Sequence, residues 1–351
     1  MPATRRIALN PSRSPRIAYW TSAFRAQDEA LAGEVACLRN AFPGSVAWGV
    51  SRRDWRHFSW QNGYCIHPRL HLAFRAATGL MQRAFEINHL FGGLGDWFHL
   101  VSLRKSPNVM TVAVDSPPCS ADLLHRIEQF AIEWPGASET LRKLGICSSR
   151  IRYIPPGVDI TRFSPAPSPA APFTVLFASS PDRADWLDAR GVGLLIEVAE
   201  MLPEFRFRLL WRSWGNSLDE LRRRINNREL NNIDVVVGQV GNMAMEFRHV
   251  HCTVAPFVDI QRCKPAPNSV IESLACGRPV VLTDCVGLAD IVEEEGGGVV
   301  CSASAASLEN ALRVVEGDWR QLAERARSLA EQRFDQREFV AAYGRLYNQL
   351  L

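Results

Sequence analysis

The feature that most restricts how this chain can fold is a strict alternation of apolar runs and helical patterns between residues 173 and 315. Short β-branched or aromatic runs read as strands at Phe173–Phe177, Phe205–Trp211, Ile233–Val237, Cys252–Ala255, Val280–Thr283 and Gly298–Val300. The segments between and after them carry helical patterns, at Gly193–Met201, Leu218–Glu229, Met243–Arg248, Ser269–Cys276, Leu288–Glu294 and Leu308–Val315. Strands that alternate with helices imply a parallel, doubly wound α/β sheet. Ligands of such sheets bind outside the carboxyl ends of the strands.

The 351 residues are long for a single core, so two domains are expected. Six prolines fall in the eighteen residues Pro155–Pro172, a stretch that cannot pair in a central sheet and reads as a linker. The division is therefore 1–155 for the first domain, 156–172 for the linker and 173–333 for the second domain. A closing helix at 334–351 is the last of two successive helices that begin at Trp319, free to cap the sheet or to reach back to the first domain.

In the first domain, strands fit Arg16–Trp20, Ser45–Val50, Phe85–His89, Asn108–Val114, a short run up to Glu133, and Ile151–Ile154. Residues 1–15 read as a disordered lead, and Ser51–Leu72 as irregular. Phe91-Gly-Gly-Leu-Gly-Asp96 reads either as a turn that lets a ligand approach the backbone or as a tight turn into a helix. Asp115 ends an apolar strand, where an open sheet binds ligands. His89 reads most simply as structural.

Hydrophobic residues at 47% and charged residues at 22% describe an ordinary globular chain, and no run is long and apolar enough to span a membrane. There is no apolar leader after the early arginines. Nine scattered cysteines without a CxxC pair point to reduced thiols in a cytosol, and none stands out as a nucleophile or zinc ligand. The net charge of +3 is unevenly spread. Residues 1–160 hold 19 Lys and Arg against 12 Asp and Glu, and the rest 21 against 25. The basic half suits an anionic partner such as acidic lipid or a phosphorylated acceptor, or is simply solvated. No basic helix with interleaved aromatics points to nucleic acid.

The stretch Lys264–Val281 has its own local grammar. Ser269 with Glu272 three residues on forms a capping-box pattern that opens a helix. Gly277 can end it and Pro279 prevents its return. Pro265 and Pro267 stiffen the loop in front, so the helix N-terminus is a natural anion site.

Four segments together resemble retaining glycosyltransferase family 4 with a GT-B fold. Ile151-Arg-Tyr-Ile-Pro-Pro-Gly-Val-Asp-Ile-Thr-Arg-Phe-Ser-Pro165 is similar to that family's hinge, and Arg190-Gly-Val-Gly-Leu-Leu-Ile-Glu-Val-Ala199 to the Lys/Arg-Gly segment after the first donor-domain strand. Ser269-Val-Ile-Glu-Ser-Leu-Ala-Cys-Gly-Arg-Pro-Val-Val281 resembles the donor-site helix, and Phe334–Leu351 the closing helix. The resemblance covers 151–351 in the right order; the first half matches only in outline.

What the resemblance implies is two Rossmann-like domains facing a cleft, with the closing helix returning to the first domain. The second domain would hold a UDP-, GDP- or ADP-linked sugar with no obligatory metal and no cofactor. Arg190 would offer a bidentate fork to the diphosphate. Glu272 would accept hydrogen bonds from ribose hydroxyls, and Asn268 and Ser269 would line the donor cradle. The sequence departs from the family at several points. Lys264 stands where the family has a Glu on the donor sugar, which suggests a contact to an extra anionic group or to the diphosphate. Ser179-Ser180 replaces a Gly-Arg, with Arg183 near enough to substitute. No histidine lies near Val112–Val114, which leaves Asp115 as the nearest polar candidate. The expected activity is transfer of a sugar, with retention, to a saccharide, lipid-linked or other hydroxyl acceptor. The rivals are an epimerase or phosphorylase of the same fold, and a degenerate binding protein without catalysis.

Overall fold

The computed structural model describes residues 14–24, 29–52, 58–59, 63–103, 107–213, 215–260 and 263–351. Nearly all of the expected lead, 1–15, lies outside these residues, as does much of 51–62.

Two sheets organise the chain. The first contains β1 (Ile17–Trp20), β2 (Val46–Val50), β3 (Phe58–Ser59), β4 (Gly63–Ile66), β5 (Ile87–Gly93), β6 (Asn108–Val114), β7 (Gln129–Ile132) and β8 (Ile151–Tyr153). The second contains β9 (Thr174–Phe177), β10 (Arg206–Trp211), β11 (Ile233–Val237), β12 (Cys252–Ala255), β13 (Val280–Thr283) and β14 (Gly298–Cys301). The first sheet runs β3-β4-β2-β1-β5-β6-β7-β8, parallel except for the antiparallel β3–β4 edge. The second runs β11-β10-β9-β12-β13-β14 and is parallel throughout.

The central strands of both sheets are covered on two faces, so their apolar residues alternate between two cores. Val175, Phe177, Leu209 and Trp211 face one core, while Leu176 and Leu210 face another. In the first sheet Ala18, Trp20 and Leu90 lie on one side, and Ile17, Tyr19 and Phe91 on the other. In each sheet strand order reverses beside the first strand, between β1 and β5 and between β9 and β12. The carboxyl ends at these reversals are where such sheets open a crevice.

Ser51–Leu72, expected to be irregular, includes β3 and β4. β5 is longer than expected and takes in Gly92 and Gly93. Among residues 91–96 the Gly93 N–H donates to Asp96 Oδ2 at 2.8 Å, and the Gly95 N–H to Ser116 Oγ at 3.0 Å. The turn is closed by its own side chains and leads into the helix Trp97–Ser102.

The closing helix, Gln336–Asn348, returns to the first sheet, where Phe339, Tyr343, Leu346 and Tyr347 pack with Ile17, Tyr19 and Phe91. Buried His89 anchors it: Nδ1 lies 2.6 Å from Tyr347 Oη and Nε2 2.7 Å from Thr111 Oγ1, which in turn lies 2.6 Å from Tyr343 Oη. Burial lowers the imidazole to about 3. The two strands of chain that cross between domains are paired: the Val158 N–H donates to Phe334 O at 2.7 Å and the Gln336 N–H to Val158 O at 2.9 Å.

Candidate active site in the interdomain cleft

A cavity of about 670 Å³ lies between the domains. Its walls come from the helix Ala30–Ala41 of the first domain, the hinge around Pro156–Phe163, and the carboxyl ends of β9 and β10. The helix Asn268–Ala275 contributes the remaining wall with its first turns.

That helix starts two residues earlier than the capping box implies. Pro267 occupies the cap position and no side chain caps the helix, so Ser269 and Glu272 are not a reciprocal pair. With no side chain folded over it, the first turn keeps its N–H groups available along a wall formed by Pro267, Asn268 and Ser269. Gly277 adopts φ +64 after the helix, and Pro279 leads into β13, as the sequence requires.

Glu272 projects from this helix into the cleft. Among the described residues its carboxylate has no hydrogen-bond partner. Burial pushes its pKa up to about 7, against the opposing pull of Arg162, Arg212 and Lys264.

Arg190 precedes Gly191, which takes φ +70 at the N-terminus of the helix Val192–Met201. A Cβ on Gly191 would lie 1.6 Å from the carbonyl oxygen of Pro256, just past β12. Glycine therefore seats this turn against the strand reversal and directs Arg190 into the cleft. The guanidinium lies over the Phe257 ring, 5.6 Å from its centroid, and its Nη1 reaches Ser179 O only at 3.5 Å. Its Nε is buried with no partner among the described residues.

Lys264 also lines the cleft, but its ammonium is engaged. Nζ lies 2.5 Å from Glu34 Oε1 and 2.9 Å from Glu133 Oε2, and donates to Asn268 Oδ1 at 2.8 Å. Both carboxylates belong to the first domain, Glu34 to the helix Ala30–Ala41 and Glu133 to the carboxyl end of β7. Burial opposes the lysine charge, but Glu133 and Glu34 outweigh it and raise its pKa. Burial, with Glu34 beside it, holds Glu133 well above the ordinary carboxylate range despite Lys264. One retained proton makes this buried cluster electrically neutral, which is how two carboxyls and one amine can share a dry site.

Of the other candidates, Ser180 lines the cleft and its Oγ accepts the Arg212 N–H at 3.2 Å. Arg183 does not reach the cleft wall: it is exposed and forms a bidentate pair with Asp185 at 2.8 and 2.9 Å. Asp115 lies past β6, half-buried and outside the cavity lining, its carboxyl raised by burial and by Asp259. The structure adds two cleft cations that sequence reading passed over, Arg162 and Arg212. Arg212 directly follows β10, so position at a strand's carboxyl end was an available signal. Arg162 lies inside the quoted hinge segment. Among the described residues no group of three or more metal-ligating side chains converges.

Two Rossmann-like domains facing a cleft, with a closing helix docked back on the first, define the GT-B fold of glycosyltransferases. Residues 173–332, the span of the second domain, match the family model for glycosyl transferases group 1. The fold is shared by solved structures of low sequence identity. HepE from Anabaena, solved in complex with UDP-glucose, has a TM-score of 0.76 at 15% identity, covering 96% of this chain and all of its own. Sucrose-phosphate synthase from Thermosynechococcus elongatus has a TM-score of 0.73 at 19% identity, covering 96% of this chain and 99% of its own. A glycosyltransferase from Rickettsia africae reaches 0.73 at 14% identity, covering 96% and 98%. No curated protein sequence matches the chain.

Proposed function

We propose that the protein transfers a sugar from a UDP-, GDP- or ADP-linked donor to a hydroxyl of a saccharide or lipid-linked acceptor, with retention, in the assembly of a cell-surface glycan. The observation that carries this reading is one cleft lined by both a cationic group with a buried, unpartnered donor, Arg190 Nε, and the carboxylate of Glu272. A nucleoside diphosphate presents the matching groups, anionic oxygens and ribose hydroxyls.

In this reading Arg190 binds the diphosphate, with the open turn at Asn268–Ser269 and Arg212 adding positive potential. Their effect grows as the bond between the anomeric carbon and the phosphate oxygen breaks, because negative charge then collects on the leaving group. The acceptor oxygen bonds to the same face of the anomeric carbon, and its proton passes to the departing phosphate oxygen. The reading calls on no metal and no cofactor. Closure about the paired hinge strands would exclude water and limit donor hydrolysis. In this reading the enzyme works at the cytoplasmic face of a membrane, and the excess of Lys and Arg in residues 1–160 supports that location.

Calorimetric titration with UDP, GDP and ADP, with donor turnover followed in parallel, tests the reading. One nucleotide should bind, its sugar donor should turn over, and Arg190→Ala should lower the rate by about 10²–10³-fold. Absence of binding by every nucleotide would refute the site. Lys264, whose ammonium is already occupied, favours a second reading as a binding protein without catalysis. Binding without transfer or hydrolysis would select that reading.

A further inference from the structure

A surface of the first domain away from the cleft lining carries a separate inference. The helix His71–Met81 buries Phe74 and Thr78, and the Phe74 ring sits 6.0 Å from Trp20 and 6.1 Å from Phe98. That is ordinary core packing. The opposite side of the helix is also apolar, yet it faces water. Leu72 and Leu80 are 68% and 69% exposed there, and Leu70 and Met81, at the two ends of the helix, are 57% and 39% exposed. Ala73, Ala76 and Ala77 are exposed between them. Positions 72, 76 and 80 recur at four-residue spacing, so the side chains form one stripe rather than scattered points. Single exposed leucines need no explanation, but a contiguous apolar stripe marks an interaction surface.

Charge identifies the partner. Arg69 and Arg83 flank the stripe and are exposed, and Arg75 lies at its edge. None of the three makes an ion pair among the described residues. From Trp55 to Phe85 the sequence has four arginines, three histidines and no Asp or Glu. A protein surface that buried leucines beside so many cations would have to supply acidic partners at fixed positions. A bilayer with acidic headgroups supplies both layers at once, apolar acyl chains beneath and negative charge at the level of the arginines.

We propose that the helix His71–Met81, with Arg69 and Arg83, docks the chain on an anionic lipid bilayer. This rests on the membrane-face part of the functional reading and names the surface responsible, but it does not require glycosyl transfer. The exposed leucines and alanines enter the headgroup–acyl boundary, and the arginines remain with the phosphates. Through Phe74 and Trp20 the docked helix is packed against β1, the strand at the reversal of the first sheet. An acceptor held in the membrane would then be presented to the first domain.

The test is co-sedimentation of the full chain with vesicles of phosphatidylcholine alone and with vesicles in which one third is phosphatidylglycerol. Binding is expected on the acidic vesicles and should weaken as salt screens the headgroups. Arg69→Gln and Arg83→Gln should each weaken it about fivefold. The double change Leu72→Gln with Leu80→Gln should weaken it by about tenfold or more. These side chains are exposed, so thermal stability and nucleotide binding should not move. Equal binding to neutral vesicles, or unchanged binding by the leucine variant, would overturn the proposal. So would a concentration-dependent dimer that the leucine variant abolishes without any vesicle binding. Because no sugar donor enters the assay, a failure of the transferase reading leaves this result intact.

Discussion

At Glu272 three cations, Arg162, Arg212 and Lys264, pull against burial, and burial wins, leaving the carboxyl near 7. An acid raised above its usual 4.5 holds its proton longer in the native state than in the unfolded chain, so its contribution to stability falls as pH rises from about 4.5 to 7. Ribose hydroxyls donating to the carboxylate reverse that preference. Donor affinity should therefore rise between pH 6 and 8, by up to about tenfold, with proton release during calorimetric binding. Glu272→Gln should weaken donor binding by roughly 10–100-fold at pH 8 and abolish the pH dependence. A nucleotide sugar is the right probe, since it has no terminal phosphate titrating in this range. A pH slope that survives in the glutamine variant would remove Glu272 from the binding step. At this scale the sequence singled out Glu272 and Arg190, which both line the cleft, because their neighbours follow a local grammar and a family pattern. It could not reveal what occupies Lys264, whose partner Glu34 is 230 residues away. Nor could spacing decide the Ser269–Glu272 cap, because Pro267 and the cleft displace the start of the helix.

Among the elements, legibility followed burial and length. The six strands of the second sheet fall where their apolar runs place them, because parallel strands covered on both faces carry near-continuous apolar runs. β3 and β4 escaped notice because they are a short edge pair of mixed polarity, set in a stretch with no clean period. Gly92 and Gly93 read as turn residues, although β5 runs through both. The closing helix was readable as a helix and its return to the first domain was expected from the family resemblance, but the polar network of its dock was not readable, since His89, Thr111, Tyr343 and Tyr347 come from three separate segments. That dock can be tested by Tyr347→Phe. The change leaves His89 Nδ1 without its 2.6 Å partner in a fully buried site, at a cost of about 1–3 kcal/mol. Calorimetry should show the first domain melting at a lower temperature while nucleotide binding to the second is retained. An unchanged melting profile would mean that apolar packing around Phe339 and Leu346 holds the helix without the polar network.

For the whole molecule the question is what keeps two domains in one arrangement around the cleft. The paired crossing strands at Val158 and Phe334–Gln336 make a single hinge. On the other side Trp134 of the first domain packs so closely on Gly287 that a Cβ there would lie 2.8 Å away. Between hinge and contact sits the Glu34–Glu133–Lys264 cluster, which links the domains electrostatically. Removing the lysine leaves two buried carboxyls with no cation, and breaking a buried pair in this way costs about 3–5 kcal/mol. Lys264→Met, which preserves much of the side chain's length, should therefore loosen the interdomain contact rather than retune the donor. Glu133 is already raised and would rise further without the ammonium, so the native state would hold its proton to higher pH than the unfolded chain. The deficit relative to wild type should then be largest near pH 8 and shrink toward pH 5. Thermal melts across that range, paired with small-angle scattering to follow domain separation, would measure both effects. A pH-independent deficit, or a donor profile that shifts while stability does not, would show that Lys264 meets the substrate directly instead of holding the domains together.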